Sequence, residues 1–128
     1  MRRILFAVIL VVACANVAAA GPSADADSAY QRGDYAKAAR LLLPLAEQGD
    51  AQAQFNLGLR YAKGEGVPQD FVRAHMWSTV VAAALSGDTA KSVMKFRDGV
   101  ASRMTAAQIE KAQEMARRCQ QTKFKEWD

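Results

Sequence analysis

The sequence is poor in the residues from which catalytic and metal centres are most often assembled. Its 128 residues include one histidine and two cysteines. His75 has no cysteine or carboxylate at a helical i, i+4 position, so the usual metal-ligand spacing is missing. Asp70 and Ser78 lie near it in the chain, yet no sharp nucleophile turn surrounds Ser78. His75 therefore reads as a structural or exposed side chain. Glu110 and Glu114, with Lys111 and Arg117 beside them, read as a solvated helix surface rather than an acid–base pair. A long apolar run is also missing: Ile4 to Ala15 is unbroken but spans 12 residues, against about 20 needed to cross a bilayer. No catalytic residue, cofactor or metal is expected.

The most patterned stretch is 51–88. Ala53, Leu57 and Tyr61 recur every four residues, and Ala51, Phe55, Gly58 and Ala62 form an adjoining stripe. The two stripes predict a helix with a wide apolar face over Ala51 to Lys63. Gly58 inside it costs about 1 kcal/mol against alanine, which points to close approach by a neighbour. Gly64 suits a C-terminal cap, and Gly64-Glu65-Gly66-Val67-Pro68-Gln69-Asp70 reads as a bend. It is not a phosphate cradle, because no Lys-Ser/Thr pair follows and no strand pattern precedes. Asp70 is placed to cap a second helix, Phe71 to about Ser86, with Phe71, Ala74, Trp77, Val81, Ala84 and Leu85 on its inner face and Gly87 as its stop.

Ala53, Leu57-Gly58, Tyr61, Gly64, Gly66-Val67, Asp70-Phe71, Arg73-Ala74, Trp77, Ala83-Ala84 and Gly87 together resemble a Sel1-like repeat, a relative of the tetratricopeptide repeat. Ser78 departs from the aromatic usual after the tryptophan. The resemblance covers 38 residues (51–88) and implies an αα-superhelix that binds other proteins, with no catalytic residues. A partial copy precedes it. Asp34-Tyr35-x-Lys37-Ala38 matches Asp70-Phe71-x-Arg73-Ala74 at a spacing of 36, and Ala46-x-x-Gly49-Asp50 matches Ala84-x-x-Gly87-Asp88 at 38. This earlier unit reads as lacking a full first helix, and Pro44 within its second helix predicts a kink.

The flanks complete the domain plan. Met1-Arg2-Arg3, the apolar run and Ala18-Ala19-Ala20 before Gly21 form a secretory signal peptide over 1–20, cleaved after Ala20. The competing reading takes Val11-Val12-Ala13-Cys14 as a lipobox, with a lipoprotein anchored at Cys14. Cleavage after Ala20 leaves 108 residues, enough for one domain, with 15 basic and 13 acidic groups and a net charge of +2. Pro22 to Asp27 reads as a flexible linker (21–27), and 28–128 as the helical repeat domain. Thr89 to Arg103 is predicted helical with Val93, Phe96 and Val100 inward. Thr105-Ala106-Ala107-Gln108 has the form of a capping box that opens a last helix through Ile109, Ala112, Met115, Ala116 and Cys119. That segment also resembles the C-terminal extension of secreted proteobacterial members of the family, and such a helix would cover the end of the solenoid. The fold expected is all-α: a short αα-superhelix of about one and a half repeats plus a C-terminal capping helical pair.

Residues 21–90 carry 6 basic and 8 acidic groups, and 91–128 carry 9 and 5. The basic end, with Lys111, Arg117, Arg118, Lys123 and Lys125 and the aromatic Phe124 and Trp127, reads as a solvated helix face and a frayed tail, with an acidic partner or lipid headgroups as the other reading. Nucleic acid is not expected for an exported chain. With Cys14 removed, Cys119 stands alone, either buried on the last helix or paired between molecules; burial is preferred. The lack of disulfides departs from cysteine-rich secreted family members credited with β-lactam binding. Two functional classes follow. One is a non-enzymatic, periplasmic or secreted scaffold that binds a protein or peptide through Gln52, Asn56 and Arg60 on the first helix. The other is an accessory that binds or hydrolyses peptidoglycan or a β-lactam.

Overall fold

The computed structural model describes residues 21–128, so Cys14 and the expected cleavage site after Ala20 lie outside the described residues. Six helices follow one another: α1 (Pro22–Gln31), α2 (Tyr35–Glu47), α3 (Ala51–Lys63), α4 (Phe71–Ala84), α5 (Gly87–Ala101) and α6 (Ala106–Gln121). Aspartates start three of them in the same way. Asp34 Oδ1 accepts from the Lys37 amide at 3.2 Å, Asp50 Oδ1 from Ala53 at 3.0 Å, and Asp70 Oδ1 from Arg73 at 3.0 Å. Each satisfies a first-turn N–H that the helix leaves unpaired. The capping box is formed as expected: Gln108 N–H donates to Thr105 Oγ1 at 3.2 Å, and Thr105 N–H donates to Gln108 Oε1 at 2.9 Å.

The predicted linker over 21–27 is instead most of α1. Pro22 stands in its first turn, where a missing N–H costs nothing, and Ala26 and Ala29 are buried three residues apart. The missed signal was a second repeat of spacing. Tyr30 and Gly33 stand three apart like Tyr61 and Gly64, but Asp34 follows Gly33 directly whereas five residues separate Gly64 from Asp70. The first unit thus has a first helix of ten residues and almost no loop. α2 runs through Pro44 to Glu47, with the proline on the solvent side. Gly87 acts later than expected: α4 ends at Ala84, and Gly87, at φ +65°, opens α5.

α4 lies at the centre, packed against α3, α5 and α6. Ala74 through Ser78, Val80 and Val81 are all buried, and Thr79 is half-buried, so its middle turns are enclosed on nearly every side. Apolar residues spread around a helix rather than along one stripe require such enclosure. Trp77 is fully buried, and around it gather Leu57 of α3, Val100 of α5, and Ala112, Met115, Ala116 and Cys119 of α6. Such a side chain removes about 150–250 Å² from water, about 4–6 kcal/mol of driving force. Gly58 allows the approach of α3 to α4. A Cβ there would meet the Ala74 carbonyl oxygen and Trp77 Cβ, each at 3.5 Å. That is ordinary van der Waals contact, so a methyl would touch both without a clash.

The 64–70 bend is held against the start of α2 by one glycine. Gly66 has φ +79°, and a Cβ on it would fall 2.0 Å from the Tyr35 carbonyl oxygen. Beyond α6 the chain does not fray. Lys123 and Phe124 take left-handed φ values of 51° and 69°, and the Phe124 amide donates to the Cys119 carbonyl at 2.7 Å. The chain then doubles back over α4 and the end of α2. Phe124 sits on Gly49, Trp127 Nε1 donates to Glu47 Oε1 at 3.2 Å, and the Trp127 ring lies 5.5 Å from that of Trp77. Left-handed non-glycine residues cost about 1–3 kcal/mol each, and the aromatic anchors offset this. The frayed tail of the sequence reading is replaced by a docked strap, because its aromatic residues meet an apolar seam that only the packed repeats create.

Gly66→Ala should cost about 2 kcal/mol or more, from left-handed strain plus the clash with α2. Gly33→Ala, with the same sign of φ and open space around it, should cost about 1 kcal/mol. Equal losses in urea unfolding would contradict the bend-to-α2 contact. By the same measurement Trp77→Ala should lose about 3–5 kcal/mol, and a loss below about 1 kcal/mol would contradict its place in the core.

Candidate functional site

The first helices of successive units, α1, α3 and α5, share one face. Two side-chain contacts tie them together. Arg60 Cζ of α3 lies 3.9 Å above the ring of Tyr30 on α1, and the Phe55 and Phe96 rings of α3 and α5 meet edge to face at 5.4 Å. Gln52, Asn56 and Arg60 fall four residues apart along α3 and so form one stripe on this face.

The three residues have different fates. Gln52 is exposed and Asn56 half-buried, as a contact surface requires. Arg60 is buried, with 6% of its surface exposed, and is not a solvent-facing contact residue. α1, absent from the sequence reading, lays Tyr30 across its guanidinium, and Glu65 from the 64–70 bend pairs with Nη1 at 3.3 Å. A desolvated guanidinium so enclosed joins α1, α3 and the bend; its role is structural.

Two recesses open along the stripe. At its amino-terminal end a groove of about 400 Å³ is lined by Ala51, Gln52, Phe55, Val81, Leu85 and Val93, with Thr89 and Ser92 at the α5 side. Its wall is almost wholly apolar. At the other end, Asn56 and Arg60 line a smaller pocket of about 120 Å³ with Asp27 and Tyr30. An apolar recess beside side-chain amides is suited to seat one hydrophobic side chain while the amides pair with the neighbouring backbone. Phe55, Leu85 and Val93, which make this recess, read from the sequence as members of inward apolar faces. Apolar periodicity identifies them as inward but not as the lining of an open groove.

The chemically suggestive side chains on α4 are engaged locally. Ser78 Oγ donates to the Ala74 carbonyl at 2.6 Å, a helix back-bond. His75 is buried; its Nδ1 lies 3.4 Å from Thr79 Oγ1, which donates to the His75 carbonyl at 2.9 Å. Burial, then the charge of Arg97, lowers its pKa, while Asp98 raises it. Cys119 is fully buried among apolar neighbours, and burial pushes its thiol up to about 11. Of the two fates considered for it, the structure has the buried one. Among the described residues, no three of His, Cys, Asp and Glu are grouped to hold a metal ion.

Paired helices of this length, capped at recurring aspartates, match the Sel1 repeat over residues 12–50 and 51–79, more than half of the chain. The chain belongs to the Sel1 repeat family. Sel1 repeats generally mediate protein–protein interaction and are generally not enzymes. The first match extends upstream of α1, and the second takes in α3, the bend and the first nine residues of α4. No curated protein and no solved structure matches the chain.

The depressed pKa of His75 sets a pH dependence. The native state holds the imidazole neutral, so the unfolded chain binds the extra proton; stability is fullest above pH about 6.5 and falls as pH drops through the folded pKa. His75→Gln should flatten this acid limb in urea titrations between pH 4 and 7. An unchanged slope would assign the acid sensitivity to the carboxylates instead.

Proposed function

We propose that the chain is an exported, non-enzymatic scaffold that binds a protein or peptide segment on the α3–α5 face. A side chain such as Leu, Met or Phe enters the apolar groove, and the amides of Gln52 and Asn56 hydrogen-bond the segment's backbone. The observation that carries this reading is the groove of about 400 Å³ beside the exposed Gln52 and the half-buried Asn56, in a family whose repeats generally bind proteins. Export is supported by the sequence of residues 1–20: a basic start, a 12-residue apolar run and a small-x-small site at Ala18 and Ala20. Periplasmic or secreted localisation follows from that reading. The local engagement of Ser78 and His75 gives no support to hydrolysis of peptidoglycan or a β-lactam.

A photo-crosslinking residue at Gln52 should capture a partner in the native host, and one at Gln113 on the exposed side of α6 should not. Leu85→Glu should weaken the captured interaction about tenfold or more, about 1.4 kcal/mol, with little change in melting. Equal capture from both positions, or insensitivity to Leu85→Glu, would reject this face. Intact mass of the recovered protein reads the export step separately: a start at Gly21 supports cleavage, and a lipid-modified start at Cys14 replaces it with a membrane anchor.

A further inference from the structure

A second surface, on the far side of α4 from the first-helix face, has a different chemistry. The first turn of α4 and the outer side of α6 enclose a cleft of about 280 Å³, lined by Asp70, Val72, Arg73, Lys111, Glu114, Met115, Arg118 and Asp128. Its lining holds three acidic and three basic side chains, and they are engaged unevenly. Asp70 caps α4 and pairs with Arg73 Nη1 at 2.7 Å, and Glu114 pairs with Arg117. Lys111 and Arg118 make no ion pair among the described residues. They stand seven residues apart, two turns of α6, about 10 Å along its axis.

One carboxylate already occupies the mouth of the cleft. The Asp128 side chain pairs with Arg73 Nη2, brought there by the strap that Phe124 and Trp127 anchor. The strap shows what the cleft accepts: an acidic side chain on an extended segment, engaged by a guanidinium already oriented by Asp70. Lys111 and Arg118 add two further basic side chains to the lining beyond Arg73, neither of them in an ion pair among the described residues. Between the charges the floor is apolar, with Val72 half-buried and Met115 buried, and methionine adapts to a range of shapes.

We propose that this cleft is a docking site for an acidic segment of a partner protein, with Asp128 as its built-in occupant. The segment carries three or more carboxylates, two of them about three extended residues apart, with an apolar residue between them for Val72 and Met115. One carboxylate displaces Asp128 from Arg73, and the others pair with Lys111 and Arg118. The site is independent of the groove on the α3–α5 face, so failure of either leaves the other standing. Exposed ion pairs are individually weak and screened by salt, so binding is modest and falls as ionic strength rises.

The test titrates the full chain with an acetylated, amidated Glu-Asp-Leu-Glu-Asp peptide at low salt, followed by calorimetry and by amide NMR shifts. Saturable binding is expected, with shifts along α6 and the first turn of α4. Lys111→Glu combined with Arg118→Glu should weaken it about tenfold or more. Lys91→Glu combined with Lys95→Glu, the same change of charge on α5, should change it less than about twofold. Asp128→Asn, which removes the internal competitor, should tighten it about threefold or more with melting unchanged. Equal losses in the two double variants would reduce the effect to net charge and overturn the proposal. So would an Asp128→Asn variant that binds no better. Binding of phosphatidylglycerol vesicles through Lys111 and Arg118, without binding of the peptide, would also overturn it in favour of a lipid surface.

Discussion

Enclosure of Trp77 is the constraint on which the other contacts depend. The side chain lies on a helix whose middle turns are buried on nearly every side, the polar His75 and Ser78 included, so α4 must be surrounded to be stable. Three helices do this: α3 approaches over Gly58, α5 lies beside it, and α6 folds back across it rather than extending the stack. Trp77 Nε1 has no hydrogen-bond partner among the described residues. The indole is therefore held by packing alone, and what covers it matters more than any polar contact it makes. Trp127 completes that cover.

Two faces of different character result from this enclosure. On one side, α3 and α5 are separated by an apolar groove next to Gln52 and Asn56. On the other, the first turn of α4, α6 and the strap line a cleft of mixed charge in which Asp128 already pairs with Arg73. Two of the nine basic residues of 91–128, Lys111 and Arg118, lie along the cleft beside α4, together with Glu114 and Asp128. The strap ties the carboxy-terminal end of the chain to the first repeat unit, since Lys125 and Trp127 both hydrogen-bond Glu47 at the end of α2.

Arg60 shows how a sound sequence argument reaches the wrong role. It shares a helical stripe with Gln52 and Asn56, and a charged side chain at that spacing is ordinarily solvent-facing. Its environment is set by Tyr30, thirty residues earlier, and by Glu65 in the bend. The small, polar composition of 21–27 concealed α1, and without α1 nothing covers Arg60. The five-residue difference in loop length between the two units concealed their correspondence as well, although Tyr30–Gly33 and Tyr61–Gly64 carry the same spacing.

What the sequence determined by itself is local. Aspartates at 34, 50 and 70, apolar residues at helical spacing, the Thr105–Gln108 box and the glycines at the bends set helix starts and inward faces. Each of these acts through hydrogen bonds or contacts within about four residues. The recurrence of such local units also made the repeat family legible. Only the tertiary structure decided that Arg60 is covered, that Asp128 reaches Arg73, that Trp127 docks on Trp77, and that Phe55, Leu85 and Val93 line an open groove. Those outcomes depend on pairs of residues tens of positions apart, whose meeting is fixed by how whole helices pack and not by the pattern within any one of them.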